Sequence, residues 1–207
     1  MGTDISILEK LEEKFNFKYP TIYKQLFHDG MLEYNAEKSL LNNGIANFEL
    51  ISFKDIEDDL CNLPRYGIRD TRYNIVPFGM DAGGNRYAFC YDFKMNEDIP
   101  VIVASKDGCP SIILAKNLSD FIFREFIENI PDCVDELEES GLTKDELKET
   151  VLKSLEKHKK YLKNKKYKFL LKLYEKPLTD ISDEEIDDIL DEMIDFDRLN
   201  DEFDIFA

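Results

Sequence analysis

Apolar residues recur every three or four positions at both ends of the chain, and at strand-like spacing in its middle. Near the start, Ile5, Leu8, Leu11 and Phe15 keep helical spacing, which predicts an amphipathic helix over 4–16. In FKYPTIYKQLF, Pro20 is placed to open a second helix whose apolar face is Tyr23, Leu26 and Phe27. His28-Asp29-Gly30 closes it, and His28 there suits the negative end of the helix dipole better than it suits catalysis. ANFELIS at 46–52 alternates as a half-buried strand does. DIEDDLCNL then places Ile56, Leu60 and Leu63 on one face of a short helix, and the expectation is that Glu57, Asp58 and Asp59 turn toward water.

Four short runs follow: YNIVPFG, RYAFCYDF, IPVIVAS and SIILAK. Each is rich in β-branched or aromatic residues and bounded by Gly, Pro, Asn or Asp. They lie too close together for helical crossovers, so hairpins and an antiparallel sheet are expected. NLSDFIFREFIENI reads as a helix capped by Asn117 or Ser119, with Leu118, Phe121, Ile122, Phe126 and Ile130 toward the sheet. The predicted fold class is α+β: an antiparallel sheet of about five strands, flanked by N-terminal helices and a following helix.

Beyond residue 130 the pattern is helical again. TKDE at 143–146 is a capping box for a helix with Leu147, Val151, Leu155 and Leu162 along one side. Tyr167, Leu170, Leu171 and Tyr174 continue an apolar face, and Pro177 ends it. SDEE at 182–185 caps a third helix whose stripe is Ile186, Ile189, Leu190, Met193 and Ile194. The predicted organisation is an α+β domain over 1–130 and a charged helical extension over 131–207.

Charge sharpens that division. The chain of 207 residues carries a net charge of −17. Residues 1–147 hold 28 acids against 15 bases, net −13; residues 148–176 hold 11 lysines against three glutamates, net +8. Residues 177–207 hold 13 acids against Arg198 alone, net −12. The basic and acidic parts of the extension are expected to pack against one another, with docking by the lysine-rich helix or the acidic tail as the alternative. No nucleic-acid partner is expected, because phosphate contacts need basic surface that this acid-rich chain lacks overall. A soluble protein with a basic protein partner fits better.

The glycine-rich stretch Gly79–Asn85 is the strongest candidate for site chemistry. A P-loop needs Gly-Lys-Ser/Thr before a helix, but Asn85 and Arg86 follow Gly84 and a strand comes next. A calcium loop needs alternating acids, and only Asp81 and Asn85 are available. Gly83 and Gly84 are expected to supply positive φ and Asp81 to bind the turn's own amides, so the stretch turns a hairpin.

The remaining candidates are few. Cys61, Cys90, Cys109 and Cys133 contain no CxxC spacing, and His28 and His158 are the only histidines, so no zinc site, other metal site or cofactor is expected. Cys90 reads as a buried structural thiol. No nucleophile elbow or histidine-paired carboxylate points to an enzyme. No apolar run is long enough to span a membrane. Gly2 and Ser6 formally fit an acylation pattern, but Asp4, Glu9, Glu12 and Glu13 beside them oppose membrane attachment. The expected location is the cytoplasm.

Three segments together resemble the SUKH superfamily (SMI/KNR type), bacterial polymorphic-toxin immunity proteins and their eukaryotic relatives in cell-wall regulation. In EKFNFKYPTIYKQLFHDG, Pro20, Tyr23, Phe27 and Gly30 sit where the family's second helix expects them, with Tyr19 replacing a leucine. In IVPFGMDAGGNRYAFCYDF, Pro77, Phe78, Asp81, Gly83 and Gly84 match its strand-turn-strand, while Ala82 and Asn85 depart from it. IPVIVASKDG and ILAKNLSDFIFREF are similar to its Pro-Val strand and final helix. Many members carry a Trp after that strand, and this chain has none. The resemblance covers about residues 5–130 and implies a non-enzymatic protein that neutralises a cognate toxin, often a nuclease, by direct contact. Expected partner contacts are Glu57, Asp58 and Asp59 with the hairpin residues Asp81 and Asn85. The alternative is a cytosolic scaffold whose C-terminal helices recruit an endogenous protein. The oligomeric state is left open.

Overall fold

The structure is a computed structural model that describes residues 5–33, 39–41, 49–62, 73–105, 110–131, 133–134, 143–194 and 202–203. By contacts the chain divides into two compact units. One comprises Met1–Leu40, Phe48–Leu118 and Asp197–Ala207; the other comprises Leu41–Asn47 and Ser119–Phe196.

The first unit is built on a six-stranded antiparallel meander in which every strand pairs with its sequence neighbour. Its strands are β1 (Glu49–Leu50), β2 (Ile75–Met80), β3 (Arg86–Cys90), β4 (Val101–Ala104), β5 (Ser111–Ala115) and β6 (Glu202–Phe203). The first five occupy the runs expected from the sequence. β6 was not anticipated: it comes from the acidic tail and pairs with β5, Ser111 opposite Phe203. Pro77 sits inside β2, where the register with β3 shifts between Pro77 and Gly79. That irregularity is where a residue without an N–H fits a ladder.

Three helices belong to this unit: α1 (Ser6–Phe15), α2 (Thr21–His28) and α3 (Phe53–Cys61). Leu8 and Leu11 of α1 are buried, whereas Ile5 precedes the helix and stays exposed. Pro20 caps α2, whose face Tyr23, Leu26 and Phe27 is buried as the spacing predicts. Gly30, at φ 73°, ends it with the Met31 amide bonded to the Leu26 carbonyl. Tyr23 packs edge-on to Phe89, and Phe89 lies 4.8 Å from Phe78, so α2 and the central strands share one aromatic core. Each fully buried side chain of this size contributes on the order of 1.5–3 kcal/mol.

The second unit is helical: α4 (Leu118–Glu128), α5 (Lys144–His158), α6 (Asn164–Leu173) and α7 (Asp183–Ile194). Both predicted caps form. Thr143 and Glu146 make the reciprocal capping box of α5, and the Ser182 hydroxyl accepts from the Glu185 amide at 3.2 Å. The Ser119 hydroxyl instead donates to the Tyr161 carbonyl. Leu147, Val151, Leu155, Leu162, Tyr167, Leu170 and Tyr174 are buried, but Leu171 lies on the outer side of α6, 37% exposed. Lys166, counted with the basic face by its sequence, is buried: its ammonium meets Asp120 of α4 at 2.7 Å and lies over the Phe123 ring. His158 is buried and bonded at both ring nitrogens, Nδ1 donating to the Ser154 carbonyl and Nε2 accepting from the Leu41 amide. Burial pushes its pKa down to about 4, against an opposing contribution from the Ser154 bond.

Candidate partner-binding surface

The candidate contacts lie on α3 and on the turn between β2 and β3, both in the sheet-bearing unit. Ser52 starts α3 by accepting from the Asp55 amide at 3.1 Å, and Asp55 places a negative charge in the first turn. Ile56 then anchors the buried face with no exposed area.

Asp59 departs from expectation. It does not face water with Glu57 and Asp58 but is 1% exposed. The physical reason is its spacing: a residue three positions after Ile56 returns to nearly the same face of a helix. There its Oδ2 meets Arg86 Nε at 2.7 Å, and the Arg86 side chain is also buried. Arg86 Nη1 donates onward to the Gly84 carbonyl at 3.3 Å. One guanidinium therefore ties α3 to the hairpin turn. Leu60 is only half-buried, and Leu63 lies outside the described residues.

Glu57 and Asp58 do reach the surface. Asp58 is exposed; Glu57 is half-exposed and pairs with Lys14 of α1 at 2.7 Å. That contact is the main reason the Lys14 ammonium is held above its usual pKa. A surface pair of this kind contributes little stability and can be exchanged for a partner's cation.

The turn folds on itself as predicted. Asp81 accepts from the Asn85 amide at 2.9 Å and from its Nδ2 at 2.8 Å. The Gly84 amide donates to the Asp81 carbonyl at 3.0 Å. Only Gly84 has a positive φ, 85°, so the expectation that both glycines supply one is corrected. Gly83 serves by close approach instead, since a Cβ there would stand 3.2 Å from Asp81 Oδ1. Asp81 and Asn85 thus hold each other and remain partly exposed at the tip.

The Asp59–Arg86 pair brings the acidic outer face of α3 and the Asp81 turn into one corner, with Asp55 and Glu49 adding exposed acids. Arg86 is the residue that sequence reasoning missed. Its signal was alternation, because it shares a strand face with buried Ala88 and Cys90. Cys90 itself is buried and its thiol pushed up to about 12 by that burial, which leaves it inert at neutral pH. Cys109 lies outside the described residues. Among the described residues no three His, Cys, Asp or Glu side chains are placed to hold a metal ion. No helix among them is long and apolar enough to cross a membrane.

An antiparallel meander with helices before it and a helical extension after it defines a small α+β protein. Residues 2–124 match the SMI1 / KNR4 family (SUKH-1), and the chain belongs to that family. SUKH proteins are known as immunity proteins. No curated protein and no solved structure matches the chain.

Proposed function

We propose that the chain is a cytoplasmic immunity protein that binds a cognate polymorphic toxin and neutralises it by direct contact, with no catalytic step of its own. The family assignment supports this reading, and the acidic corner on α3 and the β2–β3 turn suggests the kind of toxin. Glu57, Asp58 and Asp81, framed by Asn85, present negative charge on a backbone held by the buried Asp59–Arg86 pair. A basic toxin, a nuclease foremost, carries the phosphate-binding cations that such a corner would meet. With a net charge of −17, attraction at a distance would speed encounter and make it salt-sensitive. The contacts are assigned to α3 and the β2–β3 turn, within residues 1–130, and the helices α5 to α7 lie outside them.

The test is affinity capture with the tagged full chain at low and moderate salt, followed by kinetics on the captured toxin. Glu57→Lys with Asp58→Lys should slow association by about tenfold or more and leave folding intact, because both side chains reach solvent. Asp59 is unsuitable for this test, since its loss would disturb the core. Unchanged association would remove the α3 corner from the interface, and capture of housekeeping proteins in place of a toxin would remove the immunity reading.

A further inference from the structure

The helical unit exposes two opposite charged faces that the toxin-binding reading leaves unused. On α6, Lys165, Lys168 and Lys172 are exposed and fall within a sector of about 60° at 100° per residue. None of their three ammonium groups makes an ion pair or hydrogen bond, in contrast to that of buried Lys166. They span about 10 Å along the helix. On α7, Asp183, Glu184, Asp187, Asp188, Asp191 and Glu192 are all exposed, again without a cationic partner. Asp183 to Asp191 spans about 12 Å. Within one molecule the two segments meet through Lys176 and Glu185 at 2.6 Å, beyond the C-terminal end of the lysine stripe.

We propose that these faces pair between two copies of the chain, α6 of each against α7 of the other, in a two-fold symmetric dimer. Symmetry makes every contact twice, so a modest stripe becomes a double one. The lengths of the rows match, and the apolar groups beside them match too. Leu171 is 37% exposed next to the lysines, and Leu190 and Met193 are half-buried next to the acids. A phosphate backbone would leave Leu171 without a partner and would meet a chain of net charge −17. The same net charge does not forbid self-association, because screening over about 8 Å at physiological salt leaves the facing rows to dominate.

Sedimentation velocity on the full chain tests the pairing. The expected result is a dimer at about 50 mM salt whose Kd rises tenfold or more by about 300 mM. Lys165→Glu/Lys168→Glu/Lys172→Glu should be monomeric, and so should Asp187→Lys/Asp188→Lys/Asp191→Lys. Mixed in equal amounts, the two variants should form a heterodimer, since each then supplies what the other lacks. Asp183 and Glu184 stay in place because they favour the α7 N-terminus. A wild-type monomer at low salt, a dimer that persists in either variant, or a mixture that stays monomeric overturns the proposal.

Discussion

Asp59 and Arg86 form a buried ion pair in the sheet-bearing unit, where a single substitution has a large consequence. Both side chains are buried, so removing one strands the other's charge in a medium that solvates it poorly. Asp59→Ala should therefore cost about 3–5 kcal/mol in a denaturant titration. Asp59→Ala combined with Arg86→Met should recover much of that loss, because no buried charge is then unpaired. Equal destabilisation by the single and double variants would show that packing, not pairing, sets the cost. The pair also marks the limit of what residue order reveals. Three consecutive acids at 57–59 look alike in composition, and only the helical phase counted from Ile56 separates Asp59 from its neighbours. Lys166 is harder still. It lies among exposed lysines, and its partner Asp120 is 46 positions away in sequence, so no local pattern announces the pair. Glu12 repeats the theme in α1. Burial opposes its charge, but hydrogen bonds from Lys24, the Tyr19 amide and Lys18 outweigh that and hold its pKa below the usual value.

Among the elements, those governed by local chemistry were legible and those governed by remote pairing were not. The Thr143–Glu146 capping box, the Ser182 cap, the Pro20 start and the Asp81–Asn85 turn all act within about four residues, and each forms where the sequence places it. The turn allows a direct check. Gly84 needs φ 85°, a region that costs an L-residue about 1–2 kcal/mol. Gly84→Ala should lower stability by that amount, while Gly84→Asn should cost less because Asn tolerates the left-handed region. Equal losses in thermal melts of the two variants would argue against backbone strain at this position. β6 is the opposite case. Glu202–Phe203 is two residues long within an acidic tail, and only the available edge of β5 makes it a strand. Leu171 likewise keeps the helical period of its apolar neighbours yet lies outside, since a period sets a direction around the helix but not the width of the buried stripe.

Across the whole molecule, two buried groups of the helical unit give stability opposite dependences on pH. His158 is held neutral, its pKa lowered by burial from 6.5 to about 4. The unfolded chain therefore binds the extra proton between those values, and stability is lost as pH falls through them. Glu125 of α4 moves the other way. Burial first, then the nearby Glu128 charge, pushes its carboxyl up from 4.5 to about 8, against Arg124 and the Asn129 hydrogen bond. Here the folded state holds the proton, so stability is full below 4.5 and falls as pH rises toward 8. Between 4.5 and 6.5 the two slopes oppose one another; from 6.5 to 8 only the Glu125 loss remains. Thermal unfolding followed by circular dichroism should thus show little change over the lower window and a falling midpoint over the upper one. Glu125→Gln keeps an acceptor for Asn129 without an ionisable group, so it should flatten the fall above pH 6.5 and leave the variant more stable than wild type at pH 8. The same decline in both proteins would place its origin elsewhere. His158→Gln should reveal the complementary slope: with the acid-side loss removed, the Glu125 decline begins near pH 4.5 instead of 6.5.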